Sequence, residues 1–313
     1  MTTTTEPRGP LPADLDEGTQ ARRRRNPDAV RGWLYMAPFV IVFGLFLVWP
    51  TVSGLWMSFT GQSLTGANDG FIGLDNYAEA LADPQVWSSF WNTVEFTVLS
   101  TIPLVIVALL FAVIVNSGVK GQWLWRLSIF MPYLLASTVV SQIWVWLYNP
   151  QLGLVNEAVR ILGLDAIPWL QDPDTAMLSV VITTVWWTIG FNFLLYLSAL
   201  QAIPDQLYEA ASLDGAGIWR KFWSITVPQL GPTTVLVLIL QILASLKVFD
   251  QFYQMTGGGP AGTTRPILQY VYEAGFTGYR LGYAAAISYL FFALIIALSL
   301  VYVFVNNRRG ARQ

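Results

Sequence analysis

The chain has 313 residues, of which 54% are hydrophobic and 12% charged, with a formal net charge of −2 and neither cysteine nor histidine. Soluble globular chains carry about a quarter charged residues, so this balance points to lipid as the solvent. The missing residue types exclude disulfide frameworks, cysteine or histidine metal sites and Ser-His-Asp or Cys-His nucleophiles, and no basic stripe with interleaved aromatics beyond the N-terminal arginines speaks for nucleic acid.

Residues 1–32, rich in Thr, Pro, Asp and Arg, cannot bury enough apolar surface to fold alone and are expected to form a disordered cytoplasmic tail. The arginine run Arg22, Arg23, Arg24 and Arg25 stands before a long apolar stretch that no small-residue cleavage site ends, which predicts a retained signal-anchor helix. The run orients that helix and contacts anionic lipid head groups.

A helix needs about 20 mainly apolar residues to cross a hydrocarbon core of about 30 Å. Six charge-poor windows of that size occur, between Arg31 and Asp69, Glu95 and Lys120, Arg126 and Glu157, Asp174 and Asp205, Lys221 and Lys247, and Arg280 and Arg308. They predict helices over 33–59, 91–115, 127–148, 176–200, 233–255 and 281–305. The runs are too long for outer-membrane strands and do not alternate strictly, so the fold class is an all-α membrane protein of six transmembrane helices. Positively charged flanks stay cytoplasmic. With the N-terminus inside, thirteen Lys and Arg fall on cytoplasmic segments and three, Arg160, Arg265 and Arg280, on outer loops, with Lys247 left within a helix. Both termini are therefore expected in the cytoplasm. The resulting plan is the tail 1–32, a first transmembrane helix 33–59, a helical membrane core 88–305 and a cytoplasmic tail 306–313.

The cytoplasmic segment 201–232 is longer than the 2 to 8 residues usual between bundled helices. Pro204 stops the preceding helix, Asp205 can cap a new one, and Leu207, Ala210, Ala211 and Leu213 run along it before Gly215 and Gly217 permit a turn. A second short helix over 219–226 is expected to end at Pro228. The two helices form a compact knob at the membrane surface.

The same residues carry a resemblance. Glu209-Ala-Ala-Ser-Leu-Asp-Gly-Ala-Gly, followed by Phe222, Ile225, Pro228 and Pro232, resembles the EAA loop of ABC-importer permeases. The stretch Lys247-Val-Phe-Asp-Gln-Phe-Tyr-Gln-Met-Thr-Gly-Gly-Gly-Pro and the Gly282-Tyr-Ala-Ala-Ala run are similar to the sugar-permease branch, and the likeness to maltose- and glycerol-phosphate-type permeases runs from Trp33 to about Arg308. It implies a type I ABC importer transmembrane-domain fold. It also implies a coupling helix formed by Glu209, Ala210, Ala211, Asp214, Gly215, Ala216 and Gly217, with Ile225 and Pro228 behind it. That helix would sit in a cleft on a separate ATPase dimer that binds ATP and Mg. A second homologous permease subunit and an extracellular or periplasmic solute-binding protein complete the implied assembly.

Other patterns are weaker. Gly257, Gly259 and Gly262 match G-x-G-x-x-G but follow a membrane helix and include Pro260, so they read as a turn between helices and not as a dinucleotide site. No P-loop sequence occurs, and Asp172-Pro173-Asp174, before an apolar helix, suits turn and N-cap roles better than a metal site. Ionisable groups at membrane depth are costly and face the bundle interior or a wet cavity. Lys247 and Asp250, three apart, are expected to share a helical face and either pair or stand beside a substrate path. Gln241, Ser245 and Tyr253 near that face, and Trp187, Asn192 and Tyr196 on the fourth helix, supply the hydroxyl-binding and aromatic groups that a sugar needs. Glu95, near a helix end, can reach outer water, and the 149–174 segment is a candidate contact for the binding protein. The chain lacks the histidine or the aspartate pair of an intramembrane protease, and a lipid-linked glycosyltransferase would need Asp172 and Asp174 to bind metal. A secondary transporter would show internal repeats, and none is evident.

Overall fold

The computed structural model describes residues 27–66 and 70–310, so the arginine run and most of the expected tail lie outside the described residues. The chain divides into two units, Met1–Ser53 and Gly54–Gln313. In the first, α1 (Pro27–Phe43) passes through a π turn, Gly44–Val48, into α2 (Trp49–Met57). Helix is thus present from residue 27, inside the stretch expected as tail.

The second unit continues with α3 (Asp75–Ala82), α4 (Pro84–Asn116), α5 (Gln122–Phe130), α6 (Ser137–Leu147), α7 (Leu154–Ile161) and α8 (Pro173–Gln201). After these come α9 (Asp205–Leu213), α10 (Ile218–Lys221), α11 (Val227–Gln229), α12 (Gly231–Leu246), α13 (Asp250–Met255), α14 (Ile267–Tyr272) and α15 (Leu281–Gly310). Among the described residues there is helix throughout and no strand beyond a single bridge between Thr60 and Phe71.

Tyr35–Met57, Pro84–Asn116 and Pro173–Gln201 are long and apolar enough to cross a membrane, and two bent pairs bring the number to five. The third predicted span is bent by 99° between Gln122–Leu134 and Ser137–Leu147. Pro132 opens a 3-10 turn, and Leu135 and Ala136 are extended. Leu281–Ala297 is a shorter apolar stretch within α15.

The packing centre is the pair α4 and α8. Leu104, Ala108 and Ala112 of α4 meet Ile189, Phe193, Tyr196, Leu197 and Leu200 of α8, with Val237 of α12 closing the cluster. Lipid gives no hydrophobic drive between helices, so close approach over small side chains must supply the attraction. Ser89, Thr93, Thr97 and Ser100 provide such a face on α4, and Thr93 and Thr97 satisfy their hydroxyls on carbonyls four residues back at 2.8 and 2.7 Å. Glu95 is exposed on the same helix.

Two caps show what the sequence signals did. Asp172 caps α8 by accepting from the Asp174 N–H at 3.0 Å. Asp205 does not cap α9: Pro204 is the N-cap residue and Asp205 opens the first turn.

Asp83 caps α4 through the Gln85 N–H at 2.8 Å and also accepts from the hydroxyls of Tyr270 and Tyr283. Arg265 pairs with Glu273 at 3.1 Å and donates to Gln85, while Asn92 donates to the carbonyls of Gly262 and Arg265 at 2.9 and 3.1 Å. The glycine-rich stretch is therefore a turn from α13 to α14 tied to the start of α4, as its sequence context indicates. Burial alone would push the Asp83 carboxyl up, but the two tyrosine hydroxyls, the Gln85 N–H and the charge of Arg265 together hold it below 3.8. A carboxyl depressed in the folded state stabilises above its unfolded pKa, and that stabilisation is lost as pH falls through the lowered value. The protection of amides across 262–285, with the intrinsic exchange rate at each pH divided out, is expected to fall as pH drops below about 4, the unfolded carboxyl range, and in Asp83→Asn this fall is expected to be smaller.

Candidate functional site

Two interruptions of the helices, one after Leu134 and one at 247–249, lie beside one cavity of about 470 Å³. Its walls are Phe96 of α4, Tyr133 beside the first break, Thr184, Trp187, Thr188, Phe191 and Asn192 of α8, Leu240, Gln241, Ala244 and Ser245 of α12, and Lys247 to Gln251 across the second break. Backbone that leaves the helix at membrane depth is tolerated only where it is buried in protein or lines a wet cavity, because lipid offers no hydrogen bonds. The chain meets that demand locally. The Trp187 indole N–H donates to the carbonyl of Leu135, an extended residue of the first break, at 3.1 Å.

The second break corrects the expectation of one helix over 233–255. Lys247 and Val248 donate to Ala244 and Ser245, three residues back, which tightens and ends α12, and Phe249 turns the chain before α13 starts at Asp250. Lys247 and Asp250 therefore do not share a helical face and do not pair. Asp250 accepts from the Ser137 hydroxyl at 3.1 Å, and Lys247 is in none of the ion pairs among the described residues. Asp250 at the first turn of α13 is favourably placed against that helix's dipole. Gln254 donates to Thr138 at 3.2 Å, so α13 and α6, the segments beyond the two breaks, are joined by two polar contacts.

Of the eight path residues read from the sequence, Trp187, Asn192, Gln241, Ser245, Lys247 and Asp250 line this cavity. Tyr196 does not: it is fully buried in the α4–α8 core. Tyr253 does not line it either, being exposed with its ring stacked on Phe249 at 5.3 Å. Sequence reading missed Phe96, Tyr133, Thr184, Thr188, Phe191 and Gln251. Thr184, Thr188 and Phe191 follow Trp187 and Asn192 at helical spacing and could have been found, whereas Tyr133 and Gln251 are brought in by the breaks.

A second feature lies in the segment 201–232. Helix α9 ends in a Schellman motif, with Ala216 N–H on the Ala211 carbonyl at 2.8 Å, Gly215 N–H on the Ser212 carbonyl at 3.1 Å, and Gly215 at φ +73°. Glu209, Ala210, Asp214 and Gly217 are exposed, and Ala211 and Ala216 are half-buried. The second helix corrects the expected stop at Pro228. It runs from Ile218 to Gln229, absorbing the proline behind a π turn, Phe222–Thr226, and then bends by 63° into α12. Tyr208 and Thr226 share a hydroxyl bond at 2.9 Å and Lys221 donates to Ser212 at 2.5 Å, so α9 is fastened to the helix that leads into α12. Ile225 packs against the core cluster and Pro228 is exposed. Leu213, Ile218 and Trp219 are 90%, 86% and 76% exposed at the tip and make it an apolar surface.

Residues 80–310 match the family described as binding-protein-dependent transport system inner membrane component. The chain belongs to this family. This permease is 35% identical over 277 residues to the sulfoquinovosyl glycerol transport system permease protein SmoG of Agrobacterium fabrum, spanning 88% of the chain and 90% of that protein. It is 36% identical over 285 residues to the trehalose/maltose transport system permease protein MalF of Thermococcus litoralis, spanning 90% of the chain and 95% of that protein. The permease also superposes on a chain from the crystal structure of a bacterial ABC transporter that imports the acidic polysaccharide alginate. The TM-score is 0.78 at 26% identity, over 90% of this chain and 97% of that one. An inner-membrane location follows from the family, and the apolar spans agree with it.

Proposed function

We propose that this permease subunit works in an ATP-driven importer that moves a sugar, mono- or oligosaccharide, across the cytoplasmic membrane. It does so with six membrane helices and both termini in the cytoplasm, the sixth helix being α15. The observation that carries the reading is the joining of two features by one element: α12 contributes Gln241 and Ser245 to the cavity at one end and continues from the fastened α9–α11 knob at the other. A rigid knob displaced by a partner moves α12 as a body, and alternating access at the cavity needs little more than such a motion. Asn192, Gln241 and Ser245 offer hydroxyl-binding groups beside the rings of Trp187 and Phe191, a mixture suited to carbohydrate. The sugar and polyol transport named for the relatives, and the alginate importer's fold, support the same class.

The subunit has no ATPase site of its own in this reading. ATP and Mg are bound by a separate ABC ATPase dimer that grips Glu209, Asp214 and the apolar tip, and a second homologous permease and a solute-binding protein complete the assembly. A glycerol-phosphate or other anionic polyol is the runner-up, favoured by the unpaired Lys247 in the cavity and opposed by Asp250 three residues away. Purification of the tagged subunit with its neighbours co-expressed tests the proposal. The wild type is expected to bring down an ATPase and a second permease, and a Glu209→Ala, Gly215→Pro variant to lose the ATPase. Solute movement by the wild-type chain alone, without ATP, would replace the proposal with a secondary transporter.

A further inference from the structure

Four buried polar side chains form a line beneath the cavity. Asn192 Nδ2 donates to Gln241 Oε1 at 3.2 Å, Gln241 Nε2 donates to Ser245 Oγ at 3.1 Å, and Ser245 Oγ and Ser100 Oγ share a hydrogen bond at 3.1 Å. Their exposures are 1%, 7%, 3% and 0% in that order. The first three line the cavity; Ser100, on α4, does not.

A serine hydroxyl carries one proton and can accept more than one. Ser100 Oγ stands 3.5 Å from the Thr97 carbonyl, to which it donates. Either hydroxyl of the Ser245–Ser100 pair can donate; sending the Ser100 proton to the Thr97 carbonyl leaves Ser245 to donate to Ser100, so that both protons are bonded and the donors run from the cavity toward the α4 backbone. The reverse order, in which Ser100 donates to Ser245 and Ser245 donates to Gln241, would turn the Gln241 amide over and exchange the carbonyl and amino ends of Asn192. In an interior of low dielectric, an amide in the wrong sense leaves two like groups facing each other and both unsatisfied.

We infer that Ser100 is a positioning residue for the solute site: its single proton, sent to the Thr97 carbonyl, sets the direction of the Ser245–Gln241–Asn192 line and thereby which end of each amide meets a solute hydroxyl. The inference rests on the reading of the cavity as the solute path. The Asn192 carbonyl oxygen takes no bond from the described residues and is the acceptor this order leaves for the solute. Without Ser100 the Ser245 proton is free to turn to its own helix, and the amides lose the constraint that selects one orientation.

The test is equilibrium binding of radiolabelled maltose, trehalose and sn-glycerol 3-phosphate to the purified transporter, assembled with its second permease and ATPase. The variants are Ser100→Ala, Ser245→Ala, their double, and Gln241→Ala. For the solute that the wild type retains, Ser100→Ala and Ser245→Ala are each expected to weaken Kd about fivefold, the factor for one neutral hydrogen bond of about 1 kcal/mol. The double is expected to weaken it no further, since Ser100 acts through Ser245. Unfolding midpoints are expected to stay together, because a merely structural serine would lower the midpoint and leave Kd alone. A Gln241→Ala defect with Ser100→Ala at the wild-type Kd overturns the role of Ser100 and leaves the cavity standing, as do losses that multiply in the double variant. Wild-type Kd in Gln241→Ala, or retention of none of the three solutes by the wild type, overturns the solute reading itself and this inference with it.

Discussion

Gly282→Ala is expected to lower the unfolding midpoint of the purified permease sharply. A Cβ at this position would stand 2.0 Å from the Thr60 carbonyl oxygen, 3.1 Å from Asn76 Nδ2 and 3.2 Å from the Met57 carbonyl oxygen. The first of these distances is far inside contact, and its partner is backbone that cannot rotate aside. The chain at Thr60 must withdraw, and with it go the Gly282 N–H bond to the Gln62 carbonyl at 3.0 Å and the Asn76 amide bonds to the carbonyls of Ser58 and Thr60 at 3.0 and 2.8 Å. Overpacking costs about 1–3 kcal/mol and each polar group left unpaired in a buried site about 1–3 more, so a loss above about 3 kcal/mol is expected. Gly231→Ala, where an added Cβ meets nothing within 4 Å, is the control and should unfold with the wild type. Equal midpoints for Gly282→Ala and the control would mean that this contact does not hold the start of α15.

Asn156→Leu is expected to open the segment 149–172 while leaving the bundle folded. Asn156 is fully buried and uses both ends of its amide. Its Nδ2 donates to the Ile167 carbonyl at 2.9 Å and more weakly to that of Asn149 at 3.4 Å, while its Oδ1 accepts from the Ile167 N–H at 2.9 Å and the Trp169 indole at 3.2 Å. Leucine has similar bulk and none of these bonds, so the Ile167 peptide and the Trp169 indole are left without partners in a dry site, a cost of about 3 kcal/mol. Amide exchange in 149–172 should accelerate by a factor on the order of 100 relative to wild type, with α4 and α8 unchanged. Trypsin cleavage at Arg160, held now by Glu157 at 3.1 Å and the Pro150 carbonyl at 2.7 Å, should accelerate with it. Unchanged exchange would show that α7 and its packing hold the segment without the asparagine.

The two variants probe tertiary contacts that the sequence does not announce. An asparagine in a polar connecting segment has no pattern that separates a fully bonded structural amide from a solvated one. A glycine before an apolar helix reads as a turn residue, and only the meeting of 57–62 with 280–283 shows why no side chain fits.

The solute-path residues show where periodicity holds and where it fails. On α8 the helix is unbroken, and Trp187 and Asn192 both line the cavity, whereas Tyr196, one turn beyond Asn192, falls in the α4–α8 core. On the fifth span, spacing was valid as far as Ser245. Beyond Lys247 the phase of the helix is lost, so Tyr253 and the supposed Lys247–Asp250 face were placed by a periodicity the backbone no longer follows. Neither proline nor glycine stands at 247–249 to mark the interruption, and the usual causes of a kink are absent from the sequence.

What the sequence determined by itself is what composition and local chemistry fix: lipid as solvent, helix as the element that satisfies its own backbone there, and the approximate course of the unbroken spans. It also fixed the two-helix knob around Gly215, whose φ of +73° a side chain would resist, and the family resemblance in 209–232. Only the tertiary structure decided that two spans break, that both breaks open on one cavity, and that Ser100, a residue with no motif of its own, closes a line of hydrogen bonds running from that cavity to α4. The physical reason is that a broken helix at membrane depth is unstable in isolation. It exists because neighbouring helices supply the missing partners, the Trp187 indole for Leu135 and Ser137 for Asp250, and those neighbours lie 52 and 113 residues away in the chain.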